Sequence, residues 1–600
     1  MRILVSCIPF DGGKSGISVY IRETVRALAA AGHELSLLLE PGVEAADVFP
    51  GAAESIHAPR WARRPAASML WHLLVLPFLL RFRRSRYDFF FVCAANRRAC
   101  AWYPLPTVAT IHDLANFRVP GKYSRLRMFY LKRILPRFAM KAHHLVAISN
   151  ATKNDMAAFW RCDPARVTVL YNGVPPARAP EPGARRGKSI LYISRIEHPG
   201  KNHVRLVEAY GMLPESLAAE HPLVFAGADW KDAGTVRAAA AASPRASSIR
   251  FAGFVPAGEM ERLWSGAGFY VFPSLYEGFG LSLVEAMARG IPCACSANGS
   301  LGEIGAGAAE TFDPEDARSI ARALETILSE SAAERERRIS AGLARAKMFS
   351  WADHAAGICS LVRNVSVSGV RLDCDTMREA VATVRSGGGK LIAFANAHCL
   401  NVASRDAAYA TILGETFDKV WPDGSGVRIA GRTLGFAVPD NVNGTDLFPE
   451  LAASGLTFWF LGGRPGVAEE AARRCAAKWP ASKFAGAAHG YMDDWEGTLR
   501  EIEAARPDVL LVALGVPAQE KWIVERAERL RAAAGCTMAV GGLLDFLSGR
   551  IPRAPLFIRR MGFEWVWRLA MEPRRMFRRY VVGNAEFLLR LRREARRRRP

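Results

Sequence analysis

The sequence predicts an α/β protein: two Rossmann-like domains in tandem, then a third α/β domain that ends in a basic helical tail. Three observations carry this. Six hundred residues exceed what one hydrophobic core sustains. Short apolar runs of strand length alternate with helix-length segments, with Gly-rich loops where one passes into the other. The rhythm then restarts after Arg363, and from Arg559 to Pro600 fourteen Arg stand against four Glu. The expected divisions are 1–180, 181–364 and 365–556 for the domains, and 557–600 for the tail.

Composition narrows the function. Half the residues are hydrophobic and 23% charged, which describes a folded globular chain. A net charge of +22 calls for a polyanionic partner: nucleic acid, anionic lipid or a phosphorylated substrate. Eleven cysteines without a Cys-x-x-Cys pair suit a reducing cytoplasm rather than a disulfide framework or a zinc site. Met1 to Val5 reads as a first strand and not as a signal peptide.

In the first domain that strand runs to Ile8 and meets the loop Gly12-Gly-Lys-Ser-Gly16, after which a helix from Ser18 to Ala31 closes at Gly32. Glycines before a helix, Gly16 among them, admit close backbone approach to an acceptor or a phosphate. The run Met69 to Leu80 is flanked by arginines at 63, 64, 81, 83, 84 and 86. It is shorter than the roughly 20 apolar residues of a membrane span and carries Pro77, so two readings stand: a buried helix, or one lying in a membrane interface. The strand Val108 to Ile111 ends in His112-Asp113, where a parallel sheet presents its ligands.

The second domain begins near Lys188, after the Pro-, Gly- and Arg-rich linker Pro175 to Gly187. Its strand Ile190 to Ile193 leads to Arg195 and Lys201, and the strands Leu223 to Phe225 and Phe251 to Phe254 extend the sheet. The strand Phe269 to Phe272 runs into a Gly-broken loop holding Glu277, and a helix opening near Gly280 carries Glu285. Two carboxylates thus flank one helix N-terminus. Free N–H groups there favour a phosphate, and carboxylates beside them accept hydrogen bonds from sugar hydroxyls, so the expected ligand is a phosphorylated sugar.

This Glu-x7-Glu spacing with Gly278, Gly280 and Gly290-Ile-Pro292 resembles the family-four retaining glycosyltransferases of the two-Rossmann (GT-B) type, over residues 1 to 362. The resemblance implies that His112 lies against the donor sugar and that Arg195 and Lys201 hold the donor diphosphate, with His112 and Glu277 catalytic and Glu285 donor-binding. A departing nucleoside diphosphate gains negative charge, which such cations offset.

In the third domain the strand Leu391 to Phe394 delivers Asn396, and another ends in Val420-Trp-Pro-Asp423-Gly424. Asn443-Gly-Thr445-Asp446, Phe460 to Val467, Leu514-Gly-Val-Pro-Ala-Gln519-Glu520, Val540 to Pro555, Glu564-Trp565 and Glu572-Pro-Arg574-Arg575 follow. Asp423, at a strand end before a glycine, is either an Asp-Gly turn or a carboxylate aimed into a pocket, where it would take the proton of an attacking hydroxyl. Gln519 and Glu520 suit a nucleotide base and ribose. This ordered set resembles the TagA/WecG/CpsF family of glycosyltransferases, which act on polyprenyl-diphosphate sugars, across residues 366 to 580. Asn396, Asn443, Thr445 and Asp446 become donor contacts, and Arg574 and Arg575 contacts of the diphosphate. Phe394 stands where the family often has Thr, and Asn441 where it often has Arg. Both changes bear on the donor and leave Asp423 in place.

The tail interleaves its arginines with aromatic and apolar residues, which fits anchoring to an anionic membrane surface better than nucleic-acid binding. The expectation is therefore a bifunctional glycosyltransferase using nucleotide sugars, a UDP-sugar in the third domain, without metal or bound cofactor. Its acceptor would be a polyprenyl-diphosphate-linked glycan in bacterial exopolysaccharide or cell-surface polysaccharide synthesis. It would be peripheral at the cytoplasmic face of the inner membrane, with its oligomeric state open, and the first domains would act before the third. The alternative is a membrane-docked scaffold with one active half.

Overall fold

Three parallel sheets follow one another along the chain. The structure is a computed structural model that describes residues 1–13, 15–118, 125–174, 187–492, 494–561 and 563–598. Lys14 and residues 175–186 of the linker lie outside the described residues.

The first sheet takes β1 (Arg2–Ser6), β2 (Glu34–Leu39), β3 (Glu54–His57), β4 (Phe89–Val92), β5 (Thr107–Ile111), β6 (His144–Ala147) and β7 (Val167–Val169) in the order β3-β2-β1-β4-β5-β6-β7. The second takes β8 (Ser189–Ile193), β9 (Leu223–Ala226), β10 (Ile249–Gly253), β11 (Ala267–Phe272), β12 (Cys293–Ser296) and β13 (Ala309–Phe312) in the order β10-β9-β8-β11-β12-β13. Strands such as Phe89–Val92 are buried along their whole length because helices cover both faces. In each sheet the order reverses beside the first strand, β1 or β8, and a crevice opens beyond the strand ends there.

The third unit starts with an antiparallel hairpin, β14 (Asn364–Val367) and β15 (Val370–Asp373). Its parallel sheet takes β16 (Lys390–Ala395), β17 (Lys419–Pro422), β18 (Thr457–Gly462), β19 (Lys483–Ala488), β20 (Val509–Ala513) and β21 (Cys536–Ala539) in the order β17-β16-β21-β20-β18-β19.

Two segments cross the expected divisions. The helix Trp351–Arg363, assigned to the second domain, packs back on the first, where His354 Nε2 lies 2.9 Å from the Tyr20 hydroxyl. The tail is not a separate appendage: helices Glu564–Met571, Pro573–Phe577 and Gly583–Arg598 fold onto the third unit and bury Met576, Phe587, Leu591 and Ala595. Its apolar residues at helical spacing need cover, and the face of the third unit provides it.

The third unit also docks on the first. His144 Nε2–H donates to the Gly435 carbonyl at 2.7 Å, and the Ala437 N–H donates to the Val362 carbonyl at 2.8 Å. Gly435 has φ +91° and faces the His143 side chain so closely that a Cβ would overlap it, which makes glycine a requirement of this joint.

The arginine-flanked apolar run is one helix, Pro65–Arg83, the only one among the described residues long and apolar enough to cross a membrane by length and composition. One face of it is buried and the other is exposed. Trp71, His72, Leu76 and Leu80 are buried against the first sheet, while Leu70, Leu74, Phe78 and Phe82 face solvent.

Candidate functional site

The first site lies where the two Rossmann-like units face each other. Lys201 follows β8, Glu277 follows β11, and their side chains form an ion pair. Gly278 presses its backbone on the loop after β5, where an added Cβ would lie 2.1 Å from the His112 carbonyl oxygen. Gly280, at φ +99°, then turns the chain into the helix Leu281–Ala288. Across the crevice, Gly16 opens the helix Gly16–Ala30 and points at the Leu281 side chain, 3.8 Å from where its Cβ would be. Gly16, His112, Lys201 and Glu277 thus surround one helix N-terminus.

His112 is buried, with Tyr20 edge-on at 4.6 Å, and burial pushes its imidazole down to about 4. Its Nε2–H donates to the Cys93 carbonyl at 2.7 Å, which leaves Nδ1 as an acceptor for a hydroxyl. Glu285 sits one turn inside the helix, and burial pushes it up to about 7, with Arg289 opposing the shift. Arg195, also after β8, is half-exposed, 3.7 Å from Glu197 and with its guanidinium 5.1 Å over the Trp230 ring.

A cavity of about 760 Å³ that the sequence did not reveal opens nearby, lined by Arg118, Asn154, Asp155, Tyr276, Glu303 and Glu315 among others. Both units build it. Asp155 accepts from Arg118 at 2.6 Å and from Tyr276 at 2.5 Å, and Glu303 accepts from the Asn150 N–H at 2.9 Å. The expected donor residues Arg195, Lys201, Glu277 and Glu285 do not line it.

The second site is a cavity of about 460 Å³ at the carboxyl ends of the third sheet. Asn396, Asp423, Asn443, Thr445 and Gln519 line it together. Asn396 caps the helix Ala397–Ala403 with its Oδ1 and donates Nδ2–H to Asp423 at 3.3 Å. Burial raises the Asp423 carboxyl above its ordinary range, against the Asn396 hydrogen bond and the charges of Arg579 and Arg568. A carboxylate so placed is poised to accept a proton. Asn441, at the position where the family often has Arg, accepts from the Gly424 N–H at 3.3 Å and so braces the turn that carries Asp423. Phe394 lines the cavity as well.

Three expected donor contacts sit elsewhere. Glu520 is fully buried and off the cavity, where it accepts from Gln519 Nε2–H at 2.7 Å, and burial pushes it up to about 7. Gln519 spends its Oε1 on the N–H groups of Gly515 and Gly541, at 3.3 and 3.0 Å, and so joins two cavity loops. Asp446 is held behind the cavity by Asn443 at 2.8 Å and Arg553 at 2.5 Å. Arg574 is exposed and does not line the cavity, because its position on the tail helix faces outward; the Arg575 side chain lies outside the described residues.

The cations of this cavity are Arg464, Arg550, Arg568 and Arg579, with Tyr580 beside them. Arg568 enters from the tail over the Phe546 ring at 5.2 Å, past Gly542, where a Cβ would lie 2.4 Å from its guanidinium. A signal for Arg568 and Arg579 was present in the sequence: residues 568, 572, 576, 579, 583, 587, 591 and 595 recur at three or four, the spacing of one helix face. Among the described residues no group of three or more His, Cys, Asp or Glu is placed to hold a metal ion.

Comparison with known proteins fits this division. The description "Glycosyl transferase WecG/TagA/CpsF family" matches residues 365–600, "Glycosyl transferases group 1" residues 177–345 and "Glycosyltransferase Family 4" residues 14–178. The N-acetylglucosaminyldiphosphoundecaprenol N-acetyl-beta-D-mannosaminyltransferase of Bacillus spizizenii (strain ATCC 23059 / NRRL B-14472 / W23) is 31% identical over 191 residues, 31% of this chain and 73% of that protein. The chain belongs to the WecG/TagA/CpsF glycosyltransferases, fused behind a family 4 glycosyltransferase of the GT-B type. The GT-B half is 27% identical over 382 residues to the O-antigen chain mannosyltransferase B of Escherichia coli, 58% of this chain and 96% of that one. Among solved structures, the sucrose-phosphate synthase of Thermosynechococcus elongatus superposes with TM-score 0.48 at 18% identity, over 60% of this chain and 98% of that one. The chain is a glycosyltransferase, and the WecG-type unit carries the Asp423 cavity while the GT-B half carries the Lys201–Glu277 pair.

Proposed function

We propose that the chain is a bifunctional glycosyltransferase that adds two sugars in succession, from nucleotide-sugar donors, to a polyprenyl-diphosphate-linked glycan. The setting is bacterial exopolysaccharide or other cell-surface polysaccharide synthesis, at the cytoplasmic face of the inner membrane. One observation carries this reading: each half ends its parallel strands in its own site, with carboxylates and cations facing one crevice.

In the WecG-type unit, Asp423 takes the proton of the attacking acceptor hydroxyl, and Arg464, Arg568 and Arg579 hold the donor diphosphate as charge builds on it. Gln519 and Glu520 act by positioning the cavity loops, and a UDP-sugar is the donor on the strength of the family resemblance. In the GT-B half, Lys201, Arg195 and the N-terminus of the helix Leu281–Ala288 receive the departing diphosphate. His112 accepts a donor-sugar hydroxyl at Nδ1 and Glu285 accepts ribose hydroxyls, while Glu277 keeps Lys201 in place until donor binds.

The order of transfer we propose runs against the chain. The Bacillus spizizenii relative is named for a lipid that carries a single sugar, and the Escherichia coli relative for a chain. The WecG-type unit then acts first and the GT-B half extends its product. The test is mass measurement of a short N-acetylglucosaminyl polyprenyl diphosphate after incubation with a panel of nucleotide sugars. Asp423→Asn should leave the acceptor unchanged, and Glu277→Gln should stop one sugar later. The reverse pattern overturns the order, and a variant that adds its remaining sugar to the starting lipid overturns succession.

A further inference from the structure

Behind His112 lies a buried run of hydrogen bonds that the transfer described above does not use. His354, on the helix Trp351–Arg363, has Nδ1 2.9 Å from the Tyr171 carbonyl oxygen and Nε2 2.9 Å from the Tyr20 hydroxyl. A carbonyl only accepts, so Nδ1 carries the proton. Burial pushes this imidazole down to about 4, which keeps it neutral near pH 7 and makes Nε2 an acceptor. The Tyr20 O–H therefore donates to His354, and its oxygen accepts from the Thr110 hydroxyl at 2.9 Å. Tyr20, Thr110 and His354 are all buried, and a polar run satisfied in this way fixes one arrangement of its members.

The Tyr20 ring, held at its hydroxyl, stands edge-on to the His112 imidazole, with 4.6 Å between centroids and 89° between planes. Thr110 and His112 are next but one to each other along β5 and its end, so both side chains leave the same face, toward Tyr20. Among the described residues the His112 ring makes one hydrogen bond, from Nε2–H to the Cys93 carbonyl. A ring held by one bond can swing about it, and an edge-on neighbour stops the swing only as far as that neighbour is itself fixed.

The far end of the run is the hinge of the GT-B half, where the two passages of the chain between its units meet. The Val174 N–H donates to the Phe349 carbonyl at 3.2 Å, and a Cβ on Gly173 would lie 2.2 Å from the Trp351 nitrogen. Tyr171 also donates its hydroxyl to Glu303 of the second unit at 2.7 Å. His354 is thus placed by how the two units stand to each other.

We propose that Tyr20, Thr110 and His354 are positioning residues for the GT-B transfer, holding the His112 imidazole from the hinge with Nδ1 left for the donor sugar. This rests on the reading of His112 as a contact of the donor sugar and adds what keeps it there.

The experiment is steady-state transfer by the full chain to the lipid that already carries the first sugar, with the same panel of nucleotide sugars. Tyr20→Phe keeps the ring and loses the hydroxyl; Thr110→Val keeps the shape and loses the hydroxyl. Each should lower kcat of the GT-B half about 10-fold, since about 1 Å of misplacement costs on the order of 10²-fold and a loosened ring moves by less. His354→Leu should do the same, and the WecG-type transfer should stay at the parent rate in all three. Thr110→Ser, which keeps the hydroxyl and loses the methyl, should stay near the parent rate. Added to His112→Ala, none of these changes should lower the rate further, because they act through His112. Parent rates for Tyr20→Phe and Thr110→Val overturn the proposal, as do losses that multiply with that of His112→Ala. A loss in Thr110→Ser equal to that in Thr110→Val also overturns it and makes the contact one of packing. Parent-rate transfer by His112→Ala alone overturns the role of His112 itself, and the proposal with it.

Discussion

Asp423 sits between opposed influences: burial raises its carboxyl, and Arg568 and Arg579 pull it down. A base works only when ionised, so the transfer by the WecG-type unit should fall as pH drops through that raised value. Arg579→Gln removes a lowering charge and should move the acid limb of kcat/KM to higher pH; an unmoved limb would mean that another group titrates. In the GT-B half, Lys201→Ala should lower that transfer about 10²–10³-fold, as for loss of one transition-state contact, and leave the other transfer intact. Glu520 offers a test by stability. Its folded value of about 7 lies above the ordinary 4.5, so its contribution is complete below pH 4.5 and is lost as pH rises through 7. Glu520→Gln should flatten that part of the stability profile of the WecG-type unit, read from thermal unfolding between pH 4 and about 8.

At the scale of elements, the tail works as a wall of the second cavity because its buried stripe holds it down. Phe587 and Leu591 fix the helix Gly583–Arg598, and this in turn carries Arg579 and Arg568 to the sheet ends. Phe587→Ala should cost about 3 kcal/mol of WecG-type unit stability and reduce the transfer by that unit, while the GT-B transfer, measured on an acceptor that already carries the first sugar, persists. Gly542→Ala makes the same point with a single methyl, since the Cβ meets the Arg568 guanidinium at 2.4 Å. Weaker donor binding with unchanged folding is expected there, by titration of donor against the purified chain. An undiminished affinity would show that Arg568 has another way in.

At the scale of the molecule, the two halves are docked and not merely tethered. A flexible linker alone gives effective concentrations on the order of mM, and a fixed joint adds orientation. Gly435→Val strains a left-handed position and overlaps His143, so it should open the joint while both units stay folded. Each transfer measured alone should be retained, and the fraction of one-sugar lipid released before the second step should rise. An unchanged fraction would mean that the joint plays no part in passing the intermediate between the sites.

The sequence by itself determined the three α/β units, the strands that end at His112, Arg195, Glu277, Asn396 and Asp423, and the two family resemblances. Strand runs, glycine turns and caps are local, and a local signal can be read from spacing. Only the tertiary structure decided that Glu520 and Asp446 stand behind the second cavity, that Arg568 and Arg579 rather than Arg574 enter it, and that the helix Trp351–Arg363 returns to the first unit. Each of these depends on which face of a helix meets which surface hundreds of residues away. Burial and charge at such a contact are properties of the pair, and neither segment carries them alone.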